Sequence, residues 1–330
     1  MPYSIADKLV IAVASSALFD LTESHKFFLE HGVEQYRKYQ RENEKIVLAT
    51  GVAFPLIKRL LALNDGHGEG GEKVVEVILF SRNDPDTGLR VFNSIKEHAL
   101  DITRAVFVSG RDPIPYLPAF NAALFLSANE TDVRNALMQN APAGQVFPTT
   151  FVDDDEPELR VAFDFDGVIT DDSAEAINQT QGLAEFLRSE QEKAGVPHPL
   201  GPLYRFFSEM AKLQQRERNK QTANPDYKPR VRIAIVTARN APAHERVVTS
   251  LRKWGIEVDE VFFLGGLPKA NVLRVFRPHI FFDDQKLHIE GAADIAPSAH
   301  VPFGLVNDAT AKLRKVNEQI GGKAAAGPNQ

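Results

Sequence analysis

The chain has 330 residues, of which 43% are hydrophobic and 25% are charged, and its formal net charge at pH 7 is −6. This length predicts about two domains, and the acidic balance gives no electrostatic reason to expect nucleic acid or a membrane as a partner. The chain contains no cysteine, which excludes disulfides and thiolate metal sites and favours an intracellular, cytoplasmic protein.

The first half of the chain predicts strands alternating with helices. The apolar run Leu9–Phe19 follows Lys8 as in a signal peptide, but it is too short to span a bilayer, and Asp7 interrupts the basic segment. A buried strand is therefore favoured there. The pattern then predicts helices over 21–41 and 55–63, strands over 74–80, 105–108 and 123–126, a glycine-rich loop at 66–72, and an interdomain connection over the proline-containing residues 141–158.

The second half begins with the segment LRVAFDFDGVITDD, residues 159–172, a short apolar strand that ends at two acids. Asp164 and Asp166 are one residue apart, and Gly167 allows a tight turn. Open α/β sheets bind ligands at the carboxyl ends of their strands. Two carboxylates there can divide a reaction between a nucleophile and a general acid–base. The alternative is an ordinary turn with two solvated acids.

After this strand, a polar helical insert of about residues 173–230 precedes another alternation of strands and helices. The apolar runs predict strands over 233–236, 261–264 and 279–282 and a helix over 243–254, whereas the tail, 321–330, is expected to be disordered. The order of elements predicts an α/β fold with a mainly parallel sheet. We expect an N-terminal half over 1–150 and a second α/β domain over 151–320.

An internal repeat relates the two halves. Residues 81–128 align without a gap with 237–284, with eight identities in 48 positions, and residues 9–19 align with 159–169. The halves differ at the positions where chemistry is expected, because the acids and the lysine of the second half are aligned with neutral residues of the first. In the alignment, Ala14, Ser16, Pro113, Ser127 and Ala128 correspond to Asp164, Asp166, Lys269, Asp283 and Asp284. We hypothesise that the first half repeats the fold without its catalytic residues. The alternative is chance similarity, and a different strand order in the two halves would contradict the repeat.

Three further features of the second half follow predicted strands. Thr237 opens a turn into a helix, where a hydroxyl and free N–H groups can hold a phosphate. Lys269 follows the next strand and could neutralise a phosphoryl group. Asp283 and Asp284 end the last strand and, with Asp164 and the carbonyl of Asp166, would form an oxygen site suited to Mg²⁺. Each of these features is ordinary by itself. All of them occur in this order, each at the end of a predicted strand, and the combination indicates a site.

The order DFDGV, IVTAR, a lysine and FFDD resembles the haloacid dehalogenase (HAD) superfamily of phosphohydrolases. The resemblance implies a Rossmann-like HAD fold, with the helical insert as a cap over the site. It also implies that Asp164 is phosphorylated, that Asp166 is the general acid–base, and that Thr237 and Lys269 hold the phosphoryl group. The resemblance further implies that the late Asp pair helps to bind Mg²⁺. An acid at position 166 favours a phosphatase, because dehalogenases lack it and the related pump ATPases carry threonine there.

A closer resemblance covers most of the chain. The segments GVAFPLIKRLLALN, FSRNDPDTGLRVFNSI and PYLPAFNAALFLSANETDV, followed by VAFDFDGV, are similar to the cytosolic 5′-nucleotidase type I family. This implies Mg²⁺-dependent hydrolysis of nucleoside 5′-monophosphates, with AMP, IMP or deoxy forms as typical substrates. Animal members read DGDAV at the first motif, so the base preference is not carried over.

Candidate substrate-binding residues come from the polar turn after the strand 74–80 and from the IVTAR motif. The turn has more polar groups than helix capping requires, and we expect some of them to reach the nucleotide or the domain interface; a structural turn is the alternative. The candidates are Ser81, Arg82, Asn83, Asp84, Thr87, Arg90 and Arg239. A phosphatase of the same superfamily for another small phosphate ester, and a nucleotide-binding regulatory protein without turnover, are the alternative functions. The oligomeric state is open, with a homo-oligomer as one alternative.

Overall fold

The structure is a computed structural model that describes residues 3–65 and 73–308. The predicted loop at 66–72 and the predicted disordered tail at 321–330 lie outside these residues. In the first half the described elements are β1 (Leu9–Ala14), α1 (Ser15–Leu18), α2 (Thr22–Glu42), α3 (Phe54–Ala62), β2 (Val75–Ser81), α4 (Leu89–Glu97), β3 (Arg104–Phe107), β4 (Leu124–Ser127), α5 (Glu130–Met138) and β5 (Ala143–Phe147).

The second half repeats this alternation. Its elements are β6 (Leu159–Phe163), α6 (Ser173–Gln181), α7 (Leu183–Glu192), α8 (Tyr204–Ala223), β7 (Val231–Thr237), α9 (His244–Trp254), β8 (Glu260–Phe263), α10 (Lys269–Phe276), β9 (Ile280–Asp283), α11 (Lys286–Ala292) and β10 (Ser298–His300). The predicted α/β class is confirmed, and α6, α7 and α8 occupy the predicted helical insert. None of the helices in the described part of the chain is long and apolar enough to span a membrane.

One ten-stranded sheet runs through both halves in the order β3-β2-β1-β4-β5-β10-β9-β6-β7-β8. Within each half all neighbouring strands are parallel, and the only antiparallel pair in the described sheet is β5 with β10, where the halves meet. The strands of the two halves therefore point in opposite directions. Their carboxyl ends lie at opposite edges of the same sheet.

The strand order is the same in both halves, as the internal repeat predicts. Counted from each outer strand inwards, β3-β2-β1-β4-β5 corresponds to β8-β7-β6-β9-β10. The likeness extends to the helical segments, because α2 is kinked at Gly32 (φ 75°) and α6 meets α7 at Gly182 (φ 87°), 150 residues later. The first half thus has its own counterpart of the helical insert, which the sequence interpretation assigned only to the second half.

Identical residues of the repeat make identical hydrogen bonds. Arg90 donates through Nε to the Ile46 carbonyl at 3.0 Å, and Arg246 donates likewise to the Val196 carbonyl at 2.9 Å. A serine one turn later, Ser94 or Ser250, accepts from a main-chain N–H of the segment that leads into the next helix. These residues tie the segment after the helical region to α4 in the first half and to α9 in the second, so their role is in the fold.

The sheet is covered on both faces, which explains why its strands read as continuous apolar runs. Alternate residues of β1, such as Ile11 and Val10, belong to different hydrophobic clusters on the two faces. On one face a single cluster extends from β1 to Phe163 of β6 and the aromatic residues of α8, and joins the halves. The helical insert is thereby anchored to the same core as the sheet.

Two strands were missed by the sequence interpretation. Residues 141–158 are not only an interdomain connection, because Ala143–Phe147 forms β5 and pairs with β4 and β10. Ser298–His300 forms β10. Both strands are short, carry few large apolar residues, and are fixed by their neighbours, so their own composition gave a weak signal.

A buried ionic cluster fastens the connection between the halves. Arg59 of α3 donates to both carboxylate oxygens of Asp153, at 2.9 and 2.6 Å, and Arg160 of β6 donates to Asp154 at 2.6 Å. His279 lies fully buried beside Arg160, whose main-chain N–H donates to its Nδ1 at 3.0 Å. Burial, together with the charges of Arg59 and Arg160, lowers the pKa of His279 to about 3.

We predict that His279 makes the protein less stable in acid. The folded state takes up this proton only near pH 3, whereas an unfolded histidine takes it up near pH 6.5, so stability is lost as the pH falls from about 6.5 towards 3. The variant His279→Asn keeps an acceptor for Arg160 but cannot titrate, and its free energy of unfolding should fall less steeply, by up to about 1.4 kcal/mol per pH unit.

The measurement is urea unfolding between pH 7 and 4. His31→Asn, which changes an exposed histidine, serves as the control and should keep the parental slope. Equal slopes for the parent and His279→Asn would contradict the prediction.

Candidate active site

The carboxyl ends of β6 and β9 bring two acids together beneath a lysine. The parallel register pairs Phe163 with Phe282, and the Asp164 N–H donates to the Phe282 carbonyl at 2.8 Å, so Asp164 and Asp283 are neighbours. Lys269, the first residue of α10, places its Nζ 2.7 Å from Oδ2 of both acids. All three side chains are buried. The structure thus unites three predicted site residues from three elements.

The charges of this cluster do not balance. Burial, partly offset by Lys269, raises the pKa of Asp164 to about 7, and the charge of Asp283 contributes to the rise. Burial and the charges of Asp283 and Asp164 raise the pKa of Asp284 well above its usual value. Burial acts against the charge of Lys269, but the two carboxylates outweigh it and raise the pKa of the amine. The cluster has more acids than cations to pair with them.

Asp284 and Thr237 complete the floor of the site. Gly167 has φ 69°, and a Cβ at this position would lie 2.7 Å from Oδ2 of Asp284, so the turn after β6 admits the acid only because residue 167 is glycine. Thr237 ends β7 beside this turn, is buried, and accepts from the Arg239 N–H at 3.3 Å through its hydroxyl. Both residues therefore lie at the edge where Asp164 lies.

Asp166 is held by Arg239. Nε and Nη2 of the guanidinium donate to the two carboxylate oxygens, each at 2.7 Å. Its Nη1 donates to Glu190 and, at 3.4 Å, to the Ala243 carbonyl. Every nitrogen of Arg239 is thus engaged by the protein, and the arrangement orients Asp166. Contact of Arg239 with substrate stays a prediction.

Glu190 of the helical insert is a site residue that the sequence interpretation missed. It is buried, accepts from Arg239 and from Arg246 Nη1 at 2.7 Å, and lies 3.0 Å from Nε2 of His198. Burial opposes its charge, but the hydrogen bond with His198 and the charge of Arg239 prevail and lower the pKa of Glu190 to about 2. The hydrogen-bonded series Glu190–Arg239–Asp166 therefore links the insert to the site.

The internal repeat contained a signal for this network. At the offsets of the repeat, Gln40 stands opposite Glu190 and Asn83 opposite Arg239, while Arg90 stands opposite Arg246. The half that lacks Asp166 also lacks the charged pair that orients it, although it keeps the arginine that serves the fold. Glu190 and Arg239 therefore occur only in the half that carries the predicted catalytic acids.

The acids at this edge fit a divalent metal ion. Side-chain ligand atoms of Asp164, Asp283 and His288 lie within 4.8 Å of one another, and His288 Nδ1 is 3.1 Å from both oxygens of Asp283. Oxygen donors and a surplus of buried negative charge suit a hard cation. The grouping differs from the expected set, since His288 joins it, whereas Asp166 and Asp284 are outside it.

The predicted substrate-binding residues of the first half are not at this edge. They follow β2, whose carboxyl end lies at the opposite edge of the sheet, with five strands between β2 and β6. Arg90 bonds to the Ile46 carbonyl, and Thr87 donates to Asp84. The structure does not bring this group to Asp164: Ser81, Arg82, Asn83, Asp84, Thr87 and Arg90. A contact with a nucleotide stays a prediction for them.

Comparisons with known proteins agree on one family. A family model described as 5′-nucleotidase matches residues 1–308. Human cytosolic 5′-nucleotidase 1B is 33% identical over 305 residues, which are 89% of this chain and 49% of that protein. The chain therefore spans about half the length of this curated relative. No solved structure matches the chain.

We predict that Glu190→Gln destabilises the protein at neutral pH by about 3 kcal/mol, because Arg239 and Arg246 lose their buried counter-charge. The pKa of Glu190 is about 2 in the folded protein against a usual 4.5, so its contribution is present above about pH 4.5 and is lost as the pH falls towards 2. The stability difference between the parent and Glu190→Gln should therefore shrink in acid.

Denaturant unfolding at pH 7 and pH 4 measures this difference. Glu185→Gln is the matched control, since Glu185 lies on the same helix and pairs with the exposed Arg188 at 2.6 Å; it should change stability by less than about 1 kcal/mol. A Glu190→Gln protein as stable as this control would refute the buried-counter-charge argument.

Proposed function

The chain belongs to the 5′-nucleotidase family, and on this premise we propose that it hydrolyses nucleoside 5′-monophosphates through a phosphorylated aspartate. The observation that carries the proposal is the buried cluster of Asp164, Asp283 and Lys269, with Asp166 held beside it by Arg239. A site with a buried nucleophile, a fixed acid–base and a cation is suited to phosphate monoester hydrolysis. The name of the human relative supports a cytoplasmic location.

In the proposed reaction, Asp164 attacks the phosphorus and displaces the 5′-oxygen, which receives a proton from Asp166. Asp166 then takes a proton from water, and the hydroxide cleaves the acyl phosphate on Asp164 to release phosphate. Lys269 contacts Asp164 directly at 2.7 Å, so its charge lies where negative charge builds up on the phosphoryl oxygens. Thr237 offers its buried hydroxyl to the same group.

The helical insert contributes orientation. Glu190 on α7 fixes the guanidinium of Arg239, and Arg239 fixes both oxygens of Asp166. Because proton transfer depends on placing the acid within hydrogen-bond reach of the leaving oxygen, this link makes the position of the insert part of the catalytic geometry. We infer that the insert serves as the cap of the site.

Mg²⁺ is the proposed cofactor. Asp164 and Asp283 would hold it, with Asp284 and the Asp166 carbonyl as the further ligands expected from the sequence, and His288 orients Asp283. The ion would supply positive charge that the carboxylate cluster lacks. A nucleoside 5′-monophosphate is the proposed partner, and a sugar phosphate or other small ester is the second candidate substrate within the same chemistry.

We predict that Asp164→Asn lowers kcat by about 10⁴-fold or more, because the amide cannot act as the nucleophile. Loss of a carboxylate whose pKa burial raises to about 7 should leave the protein folded, so circular dichroism and urea unfolding should match the parent. The measurement is phosphate release from AMP. Asp226→Asn, an exposed acid of the insert, is the control, and residual activity within tenfold of the parent would refute the nucleophile assignment.

A substrate panel tests the family-level proposal. Phosphate release is measured from ribo- and deoxyribonucleoside monophosphates and from sugar phosphates, with Mg²⁺ and with EDTA. We expect release confined to nucleotides and abolished by EDTA. Release mainly from sugar phosphates would keep the mechanism and contradict the nucleotidase assignment, and equal release in EDTA would contradict the metal.

A further inference from the structure

A cavity of about 1110 Å³ lies in the first half at the carboxyl ends of β1, β2 and β4. In the second half the corresponding strand ends carry Asp164, Thr237 and Asp283. We propose that this cavity is a second ligand site, which binds a nucleoside phosphate without a metal ion and without hydrolysis. The phosphate part of this inference rests on the proposed function of the second half.

The floor of the cavity keeps the local geometry of the proposed catalytic edge but replaces its charged side chains with serine, alanine and proline. Ser81 accepts from the Asn83 N–H at 3.1 Å, as Thr237 accepts from the Arg239 N–H. Ser127 accepts from the Asn129 N–H at 3.1 Å, as Asp283 accepts from the Gln285 N–H at 2.8 Å. The two strand ends therefore hold the following loops in the same way in both halves.

The substitutions remove the nucleophile, the metal ligands and the lysine together. Ala14 and Ser16 stand in place of the two catalytic acids, and Pro113 stands in place of Lys269. Ser15 fills part of the floor, with its hydroxyl 3.2 Å from that of Ser81. A floor of neutral hydroxyls does not repel an anion and has no carboxylate to hold Mg²⁺, so it can bind a phosphate ester without turning it over.

Most of the acids in the walls are paired with a cation. Four of the five acids that line the cavity have a basic partner and the fifth accepts a main-chain N–H: Asp84 with Arg37, Asp132 with Arg82, Asp153 with Arg59, Asp155 with Lys58, and Asp20 with the N–H of Thr22. Arg82 and Arg37 are both part-exposed at the cavity. The guanidinium of Arg37 is suited to contact a phosphate, whereas all three nitrogens of Arg82 already donate to Asp132 and to the Gly110 and Arg111 carbonyls.

The helical wall offers an aromatic surface. His25, Phe28 and Tyr36 of α2 all line the cavity, with Phe28 stacked on His25 at 6.4 Å and in edge contact with Tyr36 at 5.5 Å. Phe28 remains 36% exposed. An aromatic cluster that faces a cavity with a polar floor suits a ligand with a flat ring at one end and a phosphate at the other.

This assignment also gives a place to the polar turn after β2. Ser81, Arg82, Asn83, Asp84 and Thr87 all line the cavity, although the sheet separates them from Asp164. The sequence predicted that some of them contact a nucleotide. In the proposal they do so in the first half, at the edge opposite the catalytic cluster.

The test is equilibrium binding of AMP to the full chain carrying Asp164→Asn, in EDTA, by isothermal titration calorimetry. In this background we compare Phe28→Ala, which removes the aromatic surface, with Leu29→Ala, a 69% exposed neighbour on the same helix that does not line the cavity. Ser127→Asp, which restores the acid found at position 283, is the second variant. We expect Phe28→Ala and Ser127→Asp to weaken binding at least tenfold and Leu29→Ala to leave it unchanged.

Equal affinity for AMP in the Asp164→Asn chain with and without Phe28→Ala would overturn the proposal. Absence of AMP binding to the Asp164→Asn chain in EDTA would also overturn it. Adenosine that binds as tightly as AMP would overturn the phosphate assignment. Phe28 is on the surface of a helix, so its variant keeps the test valid even if Ser127→Asp fails to fold. Phosphate release from AMP is measured separately with the native chain, in which Asp164 is intact. Absence of release by the native chain would contradict the proposed function but not this site.

Discussion

The structure of the second half depends on holding several carboxylates close together out of water. Like charges this close repel one another and lose hydration, so they need compensating cations. Lys269 bridges Asp164 and Asp283, and Arg239 takes both oxygens of Asp166. Glu190 then compensates Arg239 and Arg246. The compensation remains incomplete at Asp164 and Asp284, whose pKa values are raised, and this surplus of negative charge is what makes the edge suitable for a metal ion.

The duplicated fold is an internal control for interpreting these contacts. Arg246 and Ser250 have counterparts in Arg90 and Ser94 that make the same bonds, so the fold requires them whether or not chemistry takes place. Glu190 and Arg239 have the neutral counterparts Gln40 and Asn83. Comparison of the halves thus separates residues that both halves use in the fold from residues that occur only in the half with the predicted catalytic acids.

The antiparallel pairing of β5 with β10 decides how the two halves are oriented. It turns one half over relative to the other, so Asp164 and the first-half cavity lie at opposite edges of one continuous sheet. A ligand in the cavity therefore could not touch a phosphate bound at Asp164. Any influence between the two must pass through the sheet and through the hydrophobic cluster that extends from β1 to α8.

The sequence by itself determined the parts of the protein that depend on local pattern. Apolar runs, turn residues and acids at the ends of strands placed β1, β2, β6, β7 and β9 and the residues Asp164, Asp166, Thr237, Lys269 and Asp283, because such a strand positions the residue that follows it. The repeat also predicted the common strand order. Residues far apart in sequence could not be grouped in this way: Glu190 reaches Arg239 only because α7 packs beside α9, and β5 and β10 are strands because they pair with each other and with β4 and β9. Tertiary structure alone decided that the polar turn after β2 lies at the opposite edge from Asp164, since the direction in which two halves join is set by a pairing that neither half encodes locally.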